Sequence, residues 1–187
     1  MREIQDDKPD VPLPRIGPYE LIRLLGVGGT SRVYRSKSPA DGKPVAVKIM
    51  CGASCSAEAL QKFNQKMEAI ASIRHANVAQ IVDHGVSDDG TPYAVMEFVD
   101  GPSLADLIHS RVTLPYSRVA SLMVQSAQGL QAAFKHKIIH RDIKPGNLMI
   151  DAEGNLKIVD FGLARRMFDP LESNGQIEGT QIGRAHV

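Results

Sequence analysis

The stretch that decides the fold is His140-Arg141-Asp142-Ile143-Lys144-Pro145-Gly146-Asn147, followed by Asp160-Phe161-Gly162. The first run sets an acid, a lysine and an amide close together. The second sets another acid directly after Leu156-Lys157-Ile158-Val159, an apolar segment with the look of a strand. Leu148-Met149-Ile150 reads as the preceding strand, and Asp151-Ala152-Glu153-Gly154-Asn155 as the turn between them. Asp142 and Asp160 are therefore expected to face one site from the two ends of a short hairpin. Such a set suits phosphoryl transfer. That chemistry needs a group to orient and deprotonate a hydroxyl, hard oxygen ligands for Mg²⁺, and positive charge on the moving phosphoryl.

The two runs resemble the catalytic loop and the metal-binding motif of protein kinases, H-R-D-x-K-x-x-N and D-F-G, at every diagnostic position. The resemblance implies that Asp142 orients the hydroxyl and Lys144 neutralises charge, while Asn147 and Asp160 hold Mg²⁺. Lys144 in that loop resembles serine/threonine kinases rather than tyrosine kinases.

Upstream, Tyr19 to Leu25 reads as a strand, followed by Gly26-Val27-Gly28-Gly29-Thr30-Ser31-Arg32-Val33 and a second strand through Tyr34-Arg35-Ser36-Lys37. A glycine run alone is weak evidence. In a dinucleotide fold the glycines would open a helix, whereas here they lead into a hairpin. The run is similar to the kinase glycine-rich loop, with Ser31 where a third glycine is usual. By that resemblance Leu25, Gly26, Val27, Gly28, Gly29 and Thr30 cover the nucleotide. Val33 and Ala46 then sandwich adenine, and Lys48, in Val45-Ala46-Val47-Lys48, holds the α- and β-phosphates.

Residues 57–74 read as an amphipathic helix, with Leu60, Phe63, Met67, Ile70 and Ile73 at spacings of three and four. In kinases this helix supplies a glutamate to the strand-three lysine. Counting back from His75-Ala76-Asn77-Val78, the position falls on Lys66. At about 100° per residue, Lys66 lies within the apolar stripe and Glu68 on the solvent side. Two lysines about 4 Å apart would repel by about 4 kcal/mol at an effective dielectric near 20. The usual lysine–glutamate pair is thus expected to be absent. Lys66 should swing away or help bind phosphate, or Lys48 should lean on Asp160 alone.

Residues 81–86 and 93–99 read as a strand pair. The resemblance makes Met96 the guard of the back pocket and brings the backbones of Glu97 and Val99 to the adenine edge. It makes Met149 the pocket floor. Ser103 is placed to cap the next helix, with Asp106 three residues on. Residues 116–136 read as a long helix, apolar at Val119, Leu122, Met123, Leu130 and Phe134. Leu163 to Thr180 is similar to an activation segment, with Ser173 favoured over Thr180 as phosphosite.

The 187 residues are 43% hydrophobic, enough for a core, and carry a net charge of +1. That balance gives no general attraction to nucleic acid or acidic membranes. No apolar run is long enough to cross a bilayer, and Cys51 with Cys55 makes no disulfide framework, which suits a reducing cytoplasm. Residues 1–18, with four prolines among charges, read as a disordered leader. Ile182 to Val187 can be encoded by a common short-read sequencing adapter, so residues 181–187 are expected to be non-native and the chain a fragment, inactive by itself. The resulting expectation is an α+β, protein-kinase-like fold. Residues 19–99 form an antiparallel sheet plus one helix, and 100–180 an incomplete helical lobe. The implied partners are ATP and a protein bearing Ser or Thr. The competing reading, resting on Lys66, is a pseudokinase that serves as a binding or scaffold module.

Overall fold

A computed structural model of the chain describes residues 14–51 and 56–166. The elements in chain order are β1 (Arg15–Ile16), β2 (Tyr19–Glu20), β3 (Arg23–Val27), β4 (Ser31–Lys37), β5 (Pro44–Met50) and α1 (Ala57–Ala71). There follow β6 (Ile81–Val86), β7 (Pro92–Glu97), α2 (Leu104–His109), α3 (Tyr116–Lys135), β8 (Ile138–Ile139), β9 (Leu148–Ile150), β10 (Leu156–Ile158) and β11 (Arg165–Arg166). Two compact units result. Of the described residues, those through Leu60 with Asp83–Phe98 form the first, and Gln61–Val82 with those from Val99 to Arg166 form the second.

The first unit is built on a five-stranded sheet in the order β3-β4-β5-β7-β6. Its register sorts the side chains by face, because neighbours across a ladder share a face and alternate along each strand. Val33 pairs with Lys48 and Lys48 with Ala94, while Arg35 pairs with Ala46 and Ala46 with Met96. These residues share one face. Tyr34, Val47 and Val95 form the row between them on the other. There Val45, Val47, Tyr93 and Val95 close a core with Ile16, Tyr19 and Leu21.

That core corrects two expectations. Residues 14–18 are not leader: β1 pairs with β2, and Ile16 is buried in the sheet's core. Nor is Tyr19 to Leu25 one strand. It divides between two partners: Tyr19–Glu20 pairs with β1, and β3 begins at Arg23 to pair with β4. The rest of the leader, Cys55, Ser173, Thr180 and residues 181–187 lie outside the described residues.

In the second unit α1 presents Met67 and Ile70 inward, and Ile73 just beyond it is also buried. The expected cap on α2 is present in full. Ser103 Oγ accepts from the Asp106 N–H at 3.1 Å, and Asp106 Oδ2 accepts from the Ser103 N–H at 2.9 Å. The α3 stripe differs from expectation. Leu122, Ser126, Gly129 and Ala133 are its buried residues, whereas Val119, Met123 and Phe134 are exposed. Small residues win that face because the chain at Asn77 and β10 comes very close. A Cβ added to Gly129 would lie 2.8 Å from both the Asn77 carbonyl oxygen and Ile158 Cδ1.

Candidate active site

The β9–β10 hairpin does the positioning. Leu148 faces Ile158 across an antiparallel ladder, so the residues just outside that pair, Asn147 and Val159, are neighbours too. The Val159 N–H indeed donates to the Asn147 carbonyl at 3.0 Å. Asp160 follows Val159 directly. The expectation that the two ends of this hairpin come together is thus a consequence of its register.

Asp142 is 8% exposed, and its carboxylate is anchored. Oδ2 receives the Lys144 ammonium at 2.9 Å and the Asn147 side-chain amide at 3.0 Å. The same amide nitrogen also donates to the Asp142 carbonyl at 2.8 Å. Both of its hydrogens are therefore directed at Asp142, which fixes the flip of the amide and presents Asn147 Oδ1 as an acceptor. Lys144 is half-exposed and reaches the acid from solvent.

His140 ties this loop to the end of β10. Its Nδ1 accepts from the Asp142 N–H at 3.2 Å, so the proton of the neutral ring sits on Nε2, which donates to the Val159 carbonyl at 3.1 Å. Burial pushes the imidazole's pKa down, against smaller upward pulls from the Val159 hydrogen bond and from the charges of Asp160 and Asp142. Phe161 packs its ring 4.5 Å from that of His140. The site thus has a neutral, immobilised histidine at its centre, with both acids close enough to be felt by it.

Asp160 holds φ of 60° and ψ of 69°, and Arg141 holds φ of 67°. A left-handed conformation costs a residue with a β-carbon about 1–3 kcal/mol and persists where its surroundings enforce it. Here the enforcement is visible: Asp160 Oδ1 accepts from the Gly162 N–H at 3.0 Å, and Phe161 is buried. Asn147 and Asp160 together offer an amide oxygen and a carboxylate. Those are hard donors of the kind that hold a small divalent cation alongside phosphate oxygens and water.

In the first unit four of the expected nucleotide residues fall on one sheet face. Val33, Ala46, Lys48 and Met96 share the face opposite the apolar core. A bulge between Leu24 and Gly26 sets Leu25 and Gly26 together against Val33. Gly28 and Gly29 make the turn to β4, closed by the Gly28 N–H donating to the Ser31 carbonyl at 2.8 Å, with Val27 ending β3 and Thr30 preceding β4. Lys48 is half-buried, and Glu97 closes β7. In the second unit Val99 is buried, and Met149 bridges to Ser103.

Two supporting residues escaped the sequence reading. Asn77 donates to the Leu156 carbonyl at 2.7 Å and to Gln125 Oε1 at 3.2 Å, while its own carbonyl accepts from Ile158. Gln125 Oε1 also accepts from the Leu156 N–H at 2.7 Å. Together they fasten β10, and through it Asp160. The available signal was a polar residue inside an apolar stretch, Asn77 before Val78-Ala79. Its partners lie far along the chain, on α3 and β10.

The profile of the protein kinase domain family matches residues 19–182. The chain belongs to that family. A probable serine/threonine-protein kinase of Clostridium perfringens is 39% identical over 150 residues, 80% of this chain and 22% of that protein. Serine/threonine-protein kinase PrkC of Bacillus subtilis is 34% identical over 149 residues, 79% of this chain and 23% of that protein. The chain therefore spans under a quarter of the length of these curated relatives. The crystal structure of the Mycobacterium tuberculosis PknI kinase domain superposes with a TM-score of 0.71 at 24% identity. It covers 83% of this chain and 64% of that one, a likeness that speaks for the fold. The α+β kinase fold read from the sequence is thus the fold of this chain. Membership in the family carries ATP and a divalent metal in general. No described helix is long and apolar enough to cross a membrane.

Proposed function

We propose that the protein transfers the γ-phosphoryl group of ATP, bound with Mg²⁺, to serine or threonine hydroxyls of proteins, and does so in the cytoplasm. The observation that carries this reading is the Asp142–Lys144–Asn147 cluster, in which one buried carboxylate oxygen receives both an ammonium and an amide. Asp142 orients the incoming hydroxyl and takes its proton as the oxygen bonds to phosphorus and the bond to the ADP oxygen breaks. Lys144 offsets the charge gathering on the moving phosphoryl. Asn147 Oδ1 and the Asp160 carboxylate would hold Mg²⁺, which when bound neutralises the phosphate oxygens.

In this reading Lys48 holds the α- and β-phosphates and the turn from Gly26 to Thr30 covers them. The family resemblance assigns adenine contacts to Leu25, Val33, Ala46 and Met96 in the first unit and to Met149 in the second, with the backbones of Glu97 and Val99 assigned to its edge. Support comes from the shared sheet face of Val33, Ala46, Lys48 and Met96.

The test is transfer of labelled γ-phosphate by the full-length protein to itself and to a generic Ser/Thr acceptor protein. Asp142→Asn should lower the rate by about 10²–10⁴-fold, the usual worth of a positioned acid or base. Equal signals from wild type and Asp142→Asn would favour a scaffold instead.

A further inference from the structure

α1 carries a lysine on its inner side, and the structure shows what that lysine grips. Lys66 is half-buried and its Nζ donates to the Gly162 carbonyl at 2.5 Å, across 96 residues of chain. Glu68, two positions on, is exposed. An ammonium donating to a carbonyl is a charge-assisted bond, stronger than a neutral pair. A carboxylate at position 66 could not make it, since both groups would be acceptors.

Gly162 is thereby held at both of its polar atoms. Its N–H goes to Asp160 Oδ1 at 3.0 Å and its C=O accepts from Lys66. The turn so clamped contains the left-handed Asp160, a conformation that relaxes unless it is held. From inside, the Asp160 carboxylate and Phe161 against His140 hold it. From outside, Lys66 of α1 holds it.

We propose that Lys66 is a positioning residue that fixes the Asp160-Phe161-Gly162 turn through the Gly162 carbonyl. It presets the Asp160 carboxylate for a divalent cation before the cation arrives. α1 thereby bears on the metal-binding acid through the Gly162 peptide group. The inference rests on Asp160 being the metal-holding acid.

The experiment compares full-length wild type with Lys66→Met, Lys66→Arg and Lys66→Glu. Its first readout is hydrogen–deuterium exchange of the peptide spanning Asp160 to Gly162, without metal or nucleotide. The second is the Mg²⁺ concentration that half-saturates binding of a fluorescent ATP analogue. Lys66→Met should speed local exchange by about tenfold and raise the Mg²⁺ requirement by about tenfold, with exchange in β5 and β7 unchanged. Lys66→Arg, which keeps a charged donor, should stay within about threefold of wild type, and Lys66→Glu should be no better than Lys66→Met. Unchanged exchange in Lys66→Met would overturn the proposal. So would loss of protection throughout the fold in that variant, which would make the lysine merely structural. Exchange needs no turnover, so the role of Lys66 is judged even where Asp142→Asn leaves transfer unaltered and the kinase reading falls.

Discussion

At the scale of single residues, His140 shows how the site constrains its own protonation. With Nδ1 accepting from the Asp142 N–H, a second ring proton would point one N–H at another. Burial acts in the same direction, so the folded imidazole titrates below its ordinary 6.5. Between the folded value and 6.5 the unfolded chain binds more protons, and stability rises with pH. The contribution is therefore complete above about pH 6.5 and lost as pH falls through the window beneath it. Urea melts at pH 7.5 and 5.5 should show that acid loss, and His140→Asn should flatten it while lowering the whole curve. Asn77 makes a second residue-scale case. Removing its amide in Asn77→Ala leaves the buried Leu156 carbonyl without that donor, which should cost about 1–3 kcal/mol in a denaturant titration.

At the scale of elements, the contact of α3 with β10 depends on the absence of a side chain. The methyl group of Gly129→Ala would sit 2.8 Å from the Asn77 carbonyl oxygen, a backbone atom that is itself bonded to the Ile158 N–H. That oxygen can yield only by weakening the ladder that leads to Asp160. Overpacking of this kind costs about 1–3 kcal/mol despite alanine's better helix propensity. A melting temperature lower by roughly 2–4 °C per kcal/mol would register it. An unchanged or higher melting point would mean the helix can slide. The orientation of α1 was legible beforehand, since Met67, Ile70 and Ile73 define its inner side and leave Glu68 outside. The α3 stripe was not. Hydrophobic periodicity favours large residues, while the close approach selected Ser126, Gly129 and Ala133.

At the scale of the whole molecule, binding and surface make separate predictions. Nucleotide with Mg²⁺ at 100 times its dissociation constant should add about 2.7 kcal/mol of stability, and Asp160→Asn should abolish the Mg²⁺-dependent share of the thermal shift. The surface of α3 bears Tyr116, Val119, Met123, Val124 and Phe134, all exposed. Apolar surface gathered on one helix promotes association. The 187-residue chain should therefore self-associate in light scattering at micromolar concentration, and Val124→Lys with Phe134→Glu should suppress it. A monodisperse, soluble wild-type chain would refute this.

The sequence by itself determined the family, the α+β class, and the hairpin that carries Asn147 and Asp160 at its two ends. Each of these is written in local spacing and in residue types that few other chemistries require. Only the tertiary structure decided that Ile16 joins the core, that Asn77 and Gln125 fasten β10, and that the inward lysine of α1 meets the Gly162 carbonyl. The last two outcomes depend on backbone polar groups far apart in the chain. Every residue carries such groups alike, so no residue type announces which of them will be met.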